Sequence, residues 1–462
     1  MTEAAMFEKV LIANRGEIAL RVLRACRELG IRTVAVYSTR DASSRAVQLA
    51  DETVQIGPAP AKLSYTNAAA VLQAALNTGA DAIHPGYGFL SEDPDFADAC
   101  ERNGITLVGP PAEVMAKLGS KVSARALMSQ AGLPLLPGST EPLDLTDATE
   151  LAARIGFPLL VKAAAGSGGR GMDVAWDANS LPDVFRRTQA TAAALFGDSR
   201  VYAERYLARA RHVEVQILAD QHGQVIHLGE RDCSMQRRHQ KLIEESPVPA
   251  LPGELMERMR HAAVRGARAA GYQGAGTFEF LVDEQDDFSF MEVNCRIQVE
   301  HPVTEMVTGV DLVAEQIRVA SGLPLTLSQQ DIVLRGAAIE CRINAENPQR
   351  RFAPTPGMIT EFTLPGGPFV RVDTHAHPGY LVPPEYDSMI AKVIVWAPDR
   401  EGAITRMRCA LGELTVHGQG ISTTTRFLHD VLDSSAFRKA EHSTSTIDNM
   451  TQRQTRDARS SG

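Results

Sequence analysis

The chain has 462 residues, 44% of them apolar and 22% charged, with 36 glycines and 25 prolines, a composition that excludes collagen, a disordered linker and a coiled coil. Its 47 basic and 56 acidic residues leave a net charge of −9, the wrong sign for broad attraction to a phosphate backbone, so nucleic acid is not an expected partner. No apolar run approaches the roughly 18 residues that cross a bilayer, so no membrane is expected either.

The length suggests roughly three domains. The start, MTEAAMFEKV, carries acids where a targeting peptide would carry Arg or Lys. The six cysteines, at 26, 100, 233, 295, 341 and 409, have no metal-binding spacing and read as reduced, buried thiols of a cytoplasmic protein.

KVLIAN is strand-like, and Ile18, Val22, Cys26 and Leu29 then recur at helical spacing up to Gly30. TVAVYS is strand-like again, so residues 9–38 form a βαβ unit and predict an open α/β domain with a parallel sheet. A helix around Ala68 to Leu76, the strand ADAIH, a helix near Asp95 to Arg102 and ITLVG follow, up to Pro110 and Pro111. A second α/β segment opens on the helix GSKVSARALMSQAG and runs through the strands FPLLVKA, VYAERYL, RHVEVQIL, AGTFEFLV and FSFMEVNCRIQVEHP. Residues 321–331 read as a loop, and the remainder, with AAIECRINA, as a β-richer third domain. The Ser/Thr-rich tail is expected to be disordered after about residue 448.

Gly166, Gly168, Gly169 and Gly171 match G-x-G-x-x-G, but the following MDVAW reads as a strand, whereas a dinucleotide fingerprint must open a helix. Strand, glycine loop and strand make a hairpin flap whose bare backbone N–H groups suit phosphates; a plain flexible hairpin would carry the same glycines. Lys162, four residues before the loop, and Lys121 add cations and outline a polyphosphate pocket.

With a strand period of two, Glu292, Asn294, Arg296, Gln298 and Glu300 share one face, opposite Val293, Cys295, Ile297 and Val299. An amphipathic strand with its polar face in water is the simpler reading. Glu279, on TFEFLV, nevertheless brings a second carboxylate within reach of Glu292 and Asn294, a hard oxygen set suited to Mg²⁺, and Arg296 offers a bidentate grip on an oxyanion. The basic run Gln236 to Lys241 fits a compact pocket for small anions. Arg342 and Asp387 are single charges that chemistry alone does not single out.

HPGYGFLSE, GSKVSA, GSGGRGM, ERDCSMQRRHQK, GTFEFL, RIQVEHPVTEM, ECRINAE and YDSMI occur in the order found in biotin carboxylases, and the resemblance covers residues 9 to about 435. It implies a mixed α/β and α+β fold. Residues 1–117 would be an open α/β N-terminal domain, 118–330 an ATP-grasp domain with a glycine-rich lid at about 134–206, 331–448 a β-rich C-terminal domain, and 449–462 a disordered tail.

The same resemblance implies ATP contacts at Lys121, Lys162, Gly168, Gly169, Glu204, Arg205, Tyr206, Leu207, His212 and His239, with Glu279 and Glu292 also facing the nucleotide. It implies Mg²⁺ (or Mn²⁺) ligands at Glu279, Glu292 and Asn294, and bicarbonate contacts at Lys241, Arg296, Gln298 and Val299. Glu300 would be the base that deprotonates bicarbonate, and Arg342 would hold biotin. The implied activity is ATP-dependent carboxylation of biotin through carboxyphosphate. The implied partners are a biotin carboxyl carrier protein, since this chain has no Met-Lys-Met biotinylation motif, a second copy of the chain and a carboxyltransferase subunit. The expected setting is acetyl-CoA carboxylase and fatty acid biosynthesis. Two other readings are another ATP-grasp carboxylate–amine ligase, which ERDCSMQRRHQK and RIQVEHPVTEM oppose, and a non-catalytic nucleotide-binding assembly subunit. Ser120, Ser167, Asp173 and GISTTTRFL depart from the family pattern, and the latter reading is prompted by those at Ser167, Asp173 and GISTTTRFL.

Overall fold

The computed structural model describes residues 5–139, 141–164 and 171–451. The expected βαβ opening is Lys9–Ile12, a helix at Gly16–Glu28 and Arg32–Ser38. The helix buries Ile18, Val22 and Cys26, and it stops where Gly30, at φ 74°, takes the left-handed backbone that a β-carbon disfavours. Five parallel strands form an open sheet in the order Glu52–Gly57, Arg32–Ser38, Lys9–Ile12, Ala82–His84, Thr106–Leu107.

The centre of the molecule is one antiparallel sheet of eight strands. Its order is Phe288–Asn294, Gly274–Val282, Arg211–Ala219, Val225–Arg237, Gln240–Ser246, Ala337–Asn344, Met389–Ala397, Val370–Thr374. Alternation along Arg211–Ala219 sends Val213, Val215 and Ile217 into a core with the helices Lys121–Gln130 and Gly253–Ala270. It sends His212, Glu214 and Gln216 to the other face, where they are buried all the same. The sheet does not break near residue 330: Gln240–Ser246 pairs with Ala337–Asn344, joining the central and C-terminal parts in one ladder.

A separate three-stranded sheet, Met172–Ala175, Leu159–Ala163, Val201–Arg205, packs with the helices Leu145–Ile155 and Leu181–Phe196 around a small core of its own. Its antiparallel pairing of Lys162 with Met172 gives the strands of the expected hairpin. Gly166, Ser167, Gly168 and Gly169 lie outside the described residues.

Three expectations need correction. The strand expected to run from Phe288 to Pro302 ends at Asn294, because the Cys295 backbone N–H turns to Glu92 Oε1 (2.9 Å) instead of continuing the ladder. Residues 446–451 are helical, so the expected disorder does not begin at 449; Ile447 is buried in the C-terminal core and holds the segment down. Five cysteines are buried, but Cys409 is exposed, lying on the outer side of the helix Arg400–Glu413.

Candidate functional site

The buried polar face of the large sheet gathers most of the expected residues. Glu279 and Glu292 are cross-strand partners. Lys241 reaches the same place because the strands Val225–Arg237 and Gln240–Ser246 form a tight hairpin. Arg238 and His239 turn the chain with φ 46° and 66°, and Gln236 stands opposite Lys241.

The Lys241 ammonium lies 2.6 Å from Glu214 Oε2, 3.0 Å from Glu279 Oε1 and 2.6 Å from Glu300 Oε1. Burial works against its charge, yet these carboxylates hold its pKa well above the usual lysine range. Glu279 also accepts from Asn294 Nδ2 (2.8 Å) and Gln298 Nε2 (3.3 Å) and pairs with His212 Nε2 (3.0 Å). Burial would raise the Glu279 pKa, but Lys241 and His212 hold it far below the carboxylate range. His212 in turn is raised, against burial, mainly by Glu279.

Glu300 sits between two cations. Oε1 faces Lys241, and Oε2 accepts from Arg342 at 2.9 Å, while Arg342 also grips Glu244 Oε1 at 2.6 Å. Burial opposes ionisation of Glu300, but Lys241 and Arg342 override it and hold the pKa well below the carboxylate range. Glu244 is pushed up to about 7 by burial that Arg342 only partly offsets. Arg296, on the bend after Asn294, donates to Glu92 Oε2 (2.8 Å), Gln298 Oε1 (3.1 Å) and Asn294 Oδ1 (3.1 Å). The period-two face assumed for Glu292 to Glu300 therefore fails after Asn294; a bend and a turn bring the same side chains together.

Glu292 accepts no hydrogen bond among the described residues. Burial and the neighbouring Glu279 raise its pKa, which Lys121 and Lys162 only partly oppose. A half-buried carboxylate without a donor beside a second carboxylate and an amide oxygen is a fitting donor set for a divalent cation. Lys162 pairs with Glu204, whose other oxygen takes Arg125 NH1 at 2.9 Å. Gly138 allows that strand to approach: a β-carbon there would stand 2.7 Å from the Glu204 β-carbon. His239 feels burial first and then Lys162, both lowering its pKa.

Arg205, Tyr206 and Leu207, directly after Glu204, line a shallow cleft with Asp283, Glu284 and Gln285. The Arg205 side chain is turned away to the Phe157 carbonyl (2.8 Å).

Sequence reasoning missed Glu214, Arg231, Glu244, Glu92 and Arg125. Arg231, wholly buried, braces Glu214 at 2.6 Å and also donates to Gln216, Thr304 and Thr277. The alternation of His212, Glu214 and Gln216 in RHVEVQIL carried the same signal as Glu292 and Asn294. Glu92 and Arg125 meet their partners from far along the chain, which no spacing displays. Departures from the family pattern among the described residues have local roles. Asp173 is paired with Arg187 (2.8 Å), Ser120 accepts from the Ser123 backbone N–H at a helix start, and Ser422 exchanges hydrogen bonds with Thr355.

Comparison with known proteins matches three family descriptions in order. They are the biotin carboxylase N-terminal domain over residues 6–115, the ATP-binding domain of the carbamoyl-phosphate synthase L chain over 120–328, and the biotin carboxylase C-terminal domain over 340–449. Biotin carboxylase 1 of Bacillus subtilis is 53% identical over 445 residues, 96% of this chain and 98% of its own. A pyruvate carboxylase subunit of Methanothermobacter thermautotrophicus is 52% identical over 445 residues, 96% of this chain and 90% of its own.

Among solved structures, a Campylobacter jejuni biotin carboxylase in complex with a β,γ-ATP ligand superposes with TM-score 0.93 at 45% identity, covering 96% of this chain and 99% of that one. The biotin carboxylase domain dimer of Hydrogenobacter thermophilus 2-oxoglutarate carboxylase, with MgADP, ADP and bicarbonate, gives TM-score 0.93 at 46% identity, covering 96% and 98%.

Proposed function

The chain belongs to the biotin carboxylase family, and on that premise we propose that the buried cluster around Lys241 and Glu300 joins bicarbonate to the γ-phosphoryl of ATP and passes the carboxyl group to biotin. The observation that carries this reading is Glu300 between Lys241 and Arg342, one oxygen on each. Such a carboxylate is ionised and aimed, ready to take a proton, but its basicity is held down by the two cations. Bicarbonate entering beside Lys241, Arg296, Gln298 and the Val299 backbone competes for the ammonium. As Lys241 turns to the substrate, Glu300 recovers basicity and takes the bicarbonate proton.

The deprotonated oxygen attacks the γ-phosphorus in line and ADP leaves, giving carboxyphosphate. Lys121, Lys162, Lys241 and Arg296 carry the positive charge that such a transfer needs. Glu279, Glu292 and Asn294 would hold a divalent ion, which neutralises phosphate charge when bound. Gly168 and Gly169 would cover the phosphates, and Glu204, Tyr206, Leu207, His212 and His239 would face the nucleotide, with Arg205 doing so through its backbone alone. Phosphate then leaves carboxyphosphate and takes the proton of the biotin ureido N1′, and N1′ takes the carboxyl group, with Arg342 offering its guanidinium to the enolate oxygen of biotin.

We extend the proposal to a homodimer, as the Hydrogenobacter domain is described, served by biotin on a carrier protein and followed by a carboxyltransferase. Acetyl-CoA is the acceptor we assign, placing the chain in fatty acid synthesis, in the cytoplasm. Assay of the assembled complex with acetyl-CoA, pyruvate and 2-oxoglutarate tests that choice, and turnover of a keto acid alone rejects it. For the first half-reaction, ADP release with MgATP is measured with and without bicarbonate and free biotin. The rate should rise only with both; ATP binding without turnover under any combination would favour the assembly-subunit reading.

A further inference from the structure

Glu300 is the N-cap residue of the helix His301–Thr308, but its side chain makes no capping bond, being drawn off to Lys241 and Arg342. The turn that presents Gln298, Val299 and Glu300 is therefore not held by its own cap. It is held from beneath. Lys392, wholly buried on the strand Met389–Ala397, donates from Nζ to the Val299 carbonyl at 2.8 Å. That carbonyl belongs to the Val299–Glu300 peptide, so its direction sets where the Glu300 α-carbon sends its side chain.

The ammonium is itself anchored by Glu17 Oε1 at 3.1 Å, with Asp373 Oδ2 at 3.9 Å. Glu17 comes from the first turn of the helix Gly16–Glu28, in the parallel-sheet domain, and also accepts from the Tyr87 hydroxyl. Lys392 is the cross-strand partner of Arg342. Two cations on adjacent strands thus divide the work: Arg342 takes the Glu300 carboxylate, and Lys392 takes the backbone one peptide before it.

We propose that Lys392, anchored by Glu17, is a positioning residue for the bicarbonate subsite: it fixes the Val299–Glu300 peptide and touches no substrate. This rests on the reading of that turn as the bicarbonate site.

The test is steady-state ADP release by the full chain with saturating MgATP and free biotin, bicarbonate being varied, for Lys392→Met, Lys392→Arg, Glu17→Gln and Gln298→Ala. Circular dichroism confirms folding. Losing one charge-assisted hydrogen bond should raise the bicarbonate KM of Lys392→Met about tenfold while the ATP KM stays within about twofold, and Lys392→Arg should recover part of the loss. A folded Lys392→Met with wild-type bicarbonate KM, or with both KM values rising together, overturns the proposal. Should Lys392→Met not fold, Glu17→Gln decides, since it loosens the anchor and keeps the cation; an unchanged bicarbonate KM there is equally fatal. Gln298→Ala separates two failures. A raised bicarbonate KM in it alone rejects the role of Lys392, and an unchanged value in all four rejects the turn as the anion site.

Discussion

Replacing Lys241 by methionine keeps the length of the side chain and removes one charge from among three buried carboxylates. All three ammonium N–H bonds are committed, at 2.6, 3.0 and 2.6 Å, and the side chain is only 12% exposed. Each carboxylate keeps a charged partner after the change: Arg231 for Glu214, His212 for Glu279 and Arg342 for Glu300. The cost is then that of breaking one buried pair, about 3–5 kcal/mol at neutral pH.

The sign with pH follows from the same geometry. In the wild type, Glu279 and Glu300 lie below the carboxylate range. The stability they contribute is complete above a pH of about 4.5 and is lost as pH falls through their folded pKa values. In the variant burial is opposed only by the remaining cations, those pKa values rise, and the folded state gains protons between pH 7.5 and 5. The stability gap between wild type and variant should therefore narrow on acidification. Urea unfolding of both proteins at pH 7.5 and 5 measures it. A gap below about 1 kcal/mol at pH 7.5, or one equally large at pH 5, would refute the reasoning. ADP release should fall about 100-fold, the equivalent of about 3 kcal/mol of charge-assisted bonding.

Glu292→Gln removes a carboxylate that accepts no hydrogen bond from a described residue, so unfolding free energy should change by under about 1 kcal/mol while the Mg²⁺ needed for half-maximal turnover rises about tenfold. A metal titration showing wild-type demand would exclude Glu292 as a ligand. His84 and His375 are held down to about 3, by burial and then by Arg21 and Arg15 respectively. Each is neutral when folded but protonates in the unfolded chain below its ordinary pKa of about 6.5, so stability should fall with pH between 6.5 and 3, at up to about 1.4 kcal/mol per unit for each. A melting temperature flat from pH 6.5 to 5 would contradict this.

Periodicity sufficed where local pattern and tertiary environment agree. The parallel strands at Lys9 and Arg32 are apolar runs, and the helix between them carries an apolar stripe that ends at Gly30. Glu279 beside Glu292 was legible because both lie on true strands. Arg296, Gln298 and Glu300 were grouped correctly on a geometry that does not persist, since alternation says nothing of a bend imposed by Glu92, some two hundred positions earlier. Glu214 and Arg231 stayed hidden for the opposite reason. A polar side chain on a strand reads as solvent-facing unless the second layer that buries it is known, and here that layer comes from the helix His301–Thr308 and from the N-terminal domain. Lys392 and Glu17 are likewise unremarkable singly; only packing gives them a common object.

The ladder between Gln240–Ser246 and Ala337–Asn344 bears on how this chain can be cut or recombined. A fragment stopping near residue 330 would leave Gln240–Ser246 as a raw edge, its free peptide groups beside Leu242 and Ile243, which otherwise belong to the C-terminal core. Such an edge is a template for any passing strand. A graft from a relative would have to match the pairing of Ile243 with Cys341 and of Glu245 with Ile339 before any side chain of the reaction mattered. The carboxyl-terminal part is thus half of a seam, and selection on catalysis and selection against clumping act there on the same residues.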